Sequence, residues 1–308
     1  DYQTTKSYSE KVAATIDDEV KALIDRAYGH CKQILSENAE SLHAVVDYLM
    51  EHGITFDYAV GTSAGAGNVL NFLAGQKGRS REITVAKDKR YRYFGLDILL
   101  RTGHLFDMHN IYWTVPTEIN LYDFDAYFAN PTEREFTATN CLTGEAAYLT
   151  DKGNDRKHLM TIGQASSALP GATPEVFVDG IPYADGGVAD SISVKRAFER
   201  GCDKVVVVET RRKEFRMKPS KSTKFLAKRN EKKYPKFAQA MLDRPQKYNE
   251  TLDFIHRMEA EGKVFSIRPE MQEVKRLEKD YHKLMKFYHH GYQQAEKAFP
   301  ALQKFMSE

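Results

Sequence analysis

Cysteine is scarce in this chain. Three residues in 308, Cys31, Cys141 and Cys202, are too few and too scattered for a disulfide framework or a metal site. A reducing, cytoplasmic setting fits that usage. No stretch approaches the roughly 20 apolar residues needed to span a bilayer. The opening residues Asp1–Tyr8 lack the apolar core of a secretion signal, and the sequence does not begin with Met. Neither sign of charge dominates. Forty-five Lys and Arg against 43 Asp and Glu leave a net charge of +2, so no overall field argues for a nucleic-acid partner. Glycine is nearly absent from residues 1–52, where Gly29 stands alone. The length suffices for one α/β domain with appendages or for two small domains.

Apolar periodicity predicts two helices within 15–52, the first through Ile16, Val20, Leu23, Ile24 and Ala27, with Ser36–Asn38 breaking the pattern. The second runs through Leu42, Val45, Val46, Leu49 and Met50, and Gly53 stops it. Tyr58–Val60 reads as a short strand. Glu135–Asn140 and Ala146–Thr150 read as a hairpin around Thr143-Gly144, and Val176–Val178 with Pro182–Ala184 as strands around the turn Asp179-Gly180. Helices are expected through Gln164–Leu169 and Ile192–Gly201. Lys204–Glu209, with four valines in a row, predicts a buried parallel strand, and Val264–Arg268 one more. Strands separated by helices imply an α/β fold with a mainly parallel sheet flanked by helices.

The densest chemistry lies in Gly61-Thr-Ser63-Ala-Gly65, where the apolar strand meets Gly-x-Ser-x-Gly and a helix opens at once. A serine on such a turn is pushed clear of the backbone, and glycines at both flanks are expected because a Cβ there would collide. The helix aims its first N–H groups and positive dipole end at anything negative near Ser63. A serine hydroxyl still needs a base. Asp185, in Asp185-Gly186-Gly187, is the candidate: two glycines let the carboxylate project while the backbone stays close to a neighbour.

This pair of motifs, about 120 residues apart, resembles the patatin-like phospholipases, in their bacterial esterase branch, over about 53–300. Further matching stretches are Gly53–Tyr58, Gly75–Arg79, Tyr93–Leu96, Ala138–Gly144, Ala165–Pro170 and Arg244–Thr251. The resemblance implies acyl-ester hydrolysis of lipids by a Ser–Asp dyad without histidine, with Ser63 as nucleophile, Asp185 as base, and no metal or cofactor. It also implies a first strand and a glycine-rich loop, Gly-Gly-Gly-x-Arg-Gly, that supplies oxyanion donors before the elbow. Residues 1–52 contain neither, which leaves the Ala64 N–H as the candidate donor and predicts impaired activity. They resemble instead, from about Tyr8 to Met50, the C-terminal helices of the FtsH-type ATPase and zinc metalloprotease, without its His-Glu-x-x-His or nucleotide loop. The expected organisation is a helical segment over 1–52 and a patatin-like acyl hydrolase domain over 53–308. A gap, or unpaired backbone, is expected where the first strand is missing.

His256, His282, His289 and His290 lie in helical stretches and read as solvated. His104 and His109 flank an aromatic loop, as pocket lining or as structure. Residues 211–233 are strongly basic, with Phe215, Met217, Phe225 and Leu226 interleaved. They read either as peripheral contact with anionic membrane or as a solvated linker. Two functions follow: a lipid or carboxylic-ester hydrolase, or a catalytically silent scaffold or binding protein that keeps the fold.

Overall fold

A computed structural model describes residues 39–84, 88–271 and 280–307. The first expected helix, the Ser36–Asn38 break, Cys31 and most of the metalloprotease-like stretch lie outside the described residues. The second expected helix is α1, Ala39–Glu51, and it ends in a glycine cap. Gly53 has φ +63°, and the Ile54 N–H reaches back to the Leu49 carbonyl at 3.1 Å.

β1 (Tyr58–Thr62) leads through Ser63 into α2 (Ala64–Leu73). The short helices α3 (Arg79–Thr84) and α4 (Leu96–Thr102), a π-type helix (Asn110–Ile119) and α5 (Phe124–Ala129) then carry the chain to β2 (Glu133–Asn140) and β3 (Ala146–Leu149). α6 runs Arg156–Ser166, earlier than the apolar pattern suggested. Asp155 sets its start by accepting from the His158 N–H at 2.9 Å. β4 (Val176–Val178) and β5 (Ile181–Asp185) form the expected hairpin. Asp179 and Gly180 both take positive φ, 51° and 81°, as a tight I′-type connection requires. α7 (Val194–Glu199), β6 (Val205–Val208), α8 (Lys221–Asn230), α9 (Pro235–Ala260), β7 (Val264–Ile267) and α10 (Tyr281–Ser307) complete the described chain.

The fold is α/β with helices flanking a sheet, as expected, but the sheet is mixed and not mainly parallel: β1–β2 is its one parallel pair among the described residues, and the pairs of β2 with β3, β2 with β5 and β4 with β5 are antiparallel. β1 runs parallel to β2, while β3 and β5 run antiparallel to it. The register positions the site. β3 occupies one edge of β2, pairing with 136–139, so β1 and β5 share the other edge. β1 ends there with Thr62 opposite Thr137, and β5 ends with Asp185 opposite Ala138. The two strands therefore meet end to end against β2, and the residues that follow them leave the sheet side by side.

β6 and β7 form a separate parallel pair. Three of the four valines of β6 are half-buried rather than buried as expected, because β6 and β1 face a common cavity of about 270 Å³. The last helix, α10, clamps α1. The Tyr288 hydroxyl donates to Asp47 at 2.6 Å, and Asp47 also accepts the Gly78 N–H at 2.7 Å. Gly291 lets the helices touch, since a Cβ there would lie 2.5 Å from the Ser41 carbonyl oxygen. No helix among the described residues is long and apolar enough to cross a membrane.

Candidate active site

Ser63 stands between β1 and α2 with φ 55° and ψ −116°, a backbone region that a side chain rarely occupies. Something must hold it there. The Ser63 amide donates to the Ser166 hydroxyl at 3.0 Å, and that hydroxyl donates on to the Thr137 carbonyl at 2.7 Å. The Ser63 carbonyl accepts from the N–H groups of Ala66 and Gly67, which starts α2. Ala64 and Gly65, at the head of the helix, have no carbonyl four residues back within it, so their N–H groups are the orphan donors of the first turn.

The flanking glycines are not equivalent. A Cβ on Gly61 would lie 2.5 Å from the Gly65 carbonyl oxygen and 2.7 Å from the Ala66 Cα, so the strand end passes too close to the helix for any side chain. A Cβ on Gly65 would meet nothing within 4 Å. The expectation that both flanks are sterically forced is corrected: the collision exists at Gly61 alone.

Asp185 ends β5 with its backbone fixed on both sides. Its N–H donates to the Ala168 carbonyl at 2.8 Å, and its carbonyl accepts from the Thr139 hydroxyl at 2.8 Å. The carboxylate accepts the Gly187 N–H at 2.8 Å. Gly186 crosses β2 so closely that a Cβ would lie 2.1 Å from the Thr137 carbonyl oxygen. Thr137 thus supports both motifs, through Ser166 to Ser63 and by direct approach to Gly186. Ser63 and Asp185 are both buried, at 6% and 4% exposure.

Ser63 opens onto a cavity of about 250 Å³. Leu70, Tyr93, Phe94, Phe106, Met108 and Tyr112 make much of its wall apolar, a surface suited to an acyl chain. The Tyr112 hydroxyl donates to Ser167 at 2.8 Å. Burial raises its pKa to about 12, and the Asp185 charge adds to the shift despite the Ser167 bond. Tyr112 is therefore a neutral donor near Asp185 at ordinary pH.

His104 and His109 are exposed, and the residues between them, Phe106 and Met108, enter the cavity instead. Their reading as pocket lining is corrected. His282 and His289 are solvated as expected, whereas His256 has a buried Nε2 and His290 accepts the Glu270 N–H at 3.0 Å. None of these six histidines lines the cavity at Ser63.

A seventh does. His43, on α1, is buried and lines the same cavity. Its Nδ1 meets the Asn68 Oδ1 at 2.9 Å. Asn68 commits its NH₂ to the Ala64 carbonyl at 2.8 Å, so Oδ1 is the acceptor and the His43 proton sits on Nδ1. Nε2 is then a buried acceptor with no partner among the described residues. Burial lowers the pKa of His43, against the Asn68 bond and the Asp47 charge, which both raise it. Arg79 lies nearby, donating to Asn71 at 3.2 Å and to the Asn120 carbonyl at 2.8 Å, and it forms no ion pair among the described residues. Burial lowers its pKa to about 10, which leaves it cationic at neutral pH. Sequence reasoning missed both. The usable signal for His43 was a polar residue beside the apolar stripe of Leu42, Val45, Val46 and Leu49.

Among the described residues no group of His, Cys, Asp and Glu could hold a metal ion. In the basic stretch, α8 replaces a linker. Met217 and Phe215 are half-buried, Leu226 is buried, and of the four interleaved apolar residues only Phe225 is exposed.

Three family models match the chain. The family model described as "Patatin-like phospholipase" matches residues 40–198. "Peptidase family M41" matches 1–57, and "Domain of unknown function (DUF6363)" matches 234–307. "Uncharacterized protein YjjU" of Escherichia coli (strain K12) is 30% identical over 159 residues, 50% of this chain and 43% of that protein. The ATP-dependent zinc metalloprotease FtsH of Caldicellulosiruptor bescii is 43% identical over 51 residues, and FtsH 1 of Thermoanaerobacter sp. (strain X514) 45% over 51, each match covering 17% of this chain and 8% of the relative. The chain thus spans less than half the length of these relatives. With the patatin model covering half of its residues and the sheet that carries both motifs, the chain belongs to the patatin-like phospholipase family.

Proposed function

We propose that this chain is a lipid acyl hydrolase, or carboxylic-ester hydrolase, working through a Ser63–Asp185 dyad. Family membership supports lipid hydrolysis as the general activity. The observation that carries the finer reading is the register of β2, on whose one edge the strand leading to Ser63 and the strand ending in Asp185 meet. In this reading the Ser63 Oγ attacks the ester carbonyl while Asp185 takes its proton. The tetrahedral oxyanion collapses, the alcohol leaves with that proton, and an acyl-Ser63 ester remains. Water then attacks with Asp185 again as base, releasing the carboxylic acid. The Ala64 N–H is the candidate oxyanion donor, at the head of α2.

The chain would be a slow enzyme. Residues 1–52 contain no glycine-rich loop to supply oxyanion donors, each of which is worth on the order of a hundred- to a thousandfold in rate. That same absence favours the rival reading, a silent scaffold. Fluorophosphonate labelling decides between them. Labelling of the intact chain that disappears in Ser63→Ala and falls steeply in Asp185→Asn supports the hydrolase; a folded chain that takes up no label supports the scaffold. We also read the chain as two ancestries, a helical segment over 1–52 and a hydrolase body over 53–308. The match of the M41 model to 1–57 supports this.

A further inference from the structure

The helix α9 lies beyond the match to the patatin model, in the stretch 234–307 that matches the model of unknown function, yet it packs directly on the loop that carries Asp185. Ala184 and Val188, on either side of Asp185-Gly186-Gly187, share one buried apolar cluster with Phe237, Ala240 and Met241 of α9. The turn between β2 and β3 fixes the start of that helix, since a Cβ on Gly144 would run into the Lys236 carbonyl. Arg244 stands three residues beyond Met241 and four beyond Ala240, so it shares their face of the helix.

Arg244 meets the loop at defined points. Its Nε donates to the Ser191 Oγ at 3.4 Å, and the Ser191 hydroxyl donates to the Gly187 carbonyl at 2.7 Å. The Gly187 N–H in turn donates to the Asp185 carboxylate at 2.8 Å. A Cβ on Gly187 would lie 2.9 Å from the Asp185 Oδ1 and 3.4 Å from the Arg244 Nη2, so carboxylate and guanidinium border the same small space that glycine leaves open. Arg244 therefore acts on Asp185 by two routes, through Ser191 and the Gly187 peptide, and by its charge.

The charge matters because Asp185 is buried. Burial favours the protonated acid, which cannot take a proton from Ser63, whereas a nearby cation favours the carboxylate. Tyr112 stays neutral at ordinary pH, and Asp190, held by the Tyr148 hydroxyl at 2.9 Å, has the same sign as Asp185. Arg79 and His43 line the cavity at Ser63 but spend hydrogen bonds on Asn71, Asn120 and Asn68.

We infer that Arg244 is a positioning residue of the active site, which holds Asp185 ionised and in place as the base for Ser63. The inference rests on the Ser63–Asp185 reading, and it gives the 234–307 segment a part in the site.

The test follows the Asp185 carboxyl by carbon NMR on the full chain with labelled aspartate, its resonance assigned by its loss in Asp185→Asn. Arg244→Gln keeps an N–H donor and removes the charge, so the Asp185 midpoint should rise above the parent's by about one pH unit or more. Arg244→Lys keeps the charge and should hold the midpoint closer to the parent's. Ser191→Ala removes the contact that fixes the guanidinium and should shift the midpoint in the same direction as Arg244→Gln. It replaces that variant if a thermal melt shows Arg244→Gln to be unfolded. Fluorophosphonate labelling of Arg244→Gln should fall most at acid pH and recover as pH rises through the new midpoint. Lost packing alone would cut the rate by one factor at every pH. An unmoved or lowered midpoint, equal shifts in the Gln and Lys variants, or a labelling loss independent of pH would each overturn the inference. The titration decides it even in a chain that takes up no label, an outcome that overturns the dyad reading alone.

Discussion

The Ser63 amide donates to the Ser166 hydroxyl, and the same hydroxyl donates to the Thr137 carbonyl, so one buried side chain ties the elbow to the central strand. Ser166 has no exposed surface, and no water can take over either bond. Ser166→Ala should leave a buried N–H and a buried carbonyl short of a partner, at a cost of roughly 1–3 kcal/mol. Because Ser63 sits at positive φ, the elbow should relax as well. The expected outcome is lower stability in urea together with slower fluorophosphonate labelling of Ser63. A variant that labels at the original rate would show that Ser166 supports stability alone.

The two motif glycines give a paired prediction. Gly61→Ala drives a Cβ into backbone atoms of α2, which cannot swing aside as a side chain can. Overpacking of this kind costs typically about 1–3 kcal/mol and should shift the elbow, with loss of labelling. Gly65→Ala adds a methyl group to open space and should fold and label nearly as the parent does. Thermal melts and labelling rates of the two variants check the contrast; equal damage from both would contradict the close approach at Gly61.

These sites differ in how far the sequence exposes them. Ser63 and Asp185 are legible because tight turns leave local marks, in glycine and in the change from strand to helix. The hairpin at Asp179-Gly180 is legible for the same reason, since positive φ selects such residues. Ser166 and Thr137 are ordinary polar residues in their own segments, and their partners lie 103 and 29 residues away in the chain. His43 is hidden likewise, because helical spacing shows which face is apolar and not which cavity that face reaches. The half-burial of the β6 valines is set by what is missing beside them, which four consecutive valines cannot report.

The basic stretch makes a salt-dependent prediction. Around α8 the cations Lys221, Lys224, Lys228 and Arg229 are exposed, as is Phe225. Arg216 pairs with Asp253 at 2.9 Å and Lys233 pairs with Glu175, so those two are partly spent within the protein. Each basic residue held near an anionic surface is worth about 1 kcal/mol. Vesicles with anionic lipid should therefore sediment the chain at low salt and release it at high salt, and neutral vesicles should leave it in solution. Charge reversal of Lys224 and Lys228 to Glu should abolish the difference. Equal partitioning on both vesicle types would remove the membrane reading.

His43 predicts a pH dependence whose sign follows from burial. Desolvation lowers its pKa in the folded chain below the ordinary 6.5. The unfolded chain then binds the proton more readily, so this contribution to stability is present above about pH 6.5 and is lost as pH falls toward the folded value. His256 and His290 are also lowered by burial and act in the same direction. Carboxylates such as Glu135, lowered by Arg196 and Tyr58 against its own desolvation, act near pH 4.5 and below. Asp190 and Glu209, raised by burial, act in the opposite direction, so the His43 contribution is read from the difference between variant and parent, with a fully linked proton worth about 1.4 kcal/mol per pH unit. His43→Gln keeps an amide N–H for Asn68 and removes the titration. Urea unfolding across pH 5.5–8 should therefore show a shallower fall for the variant than for the parent. Identical slopes would mean that protonated His43 finds a partner in the folded chain, and that its Nε2 is not the closed acceptor which the Asn68 bond implies.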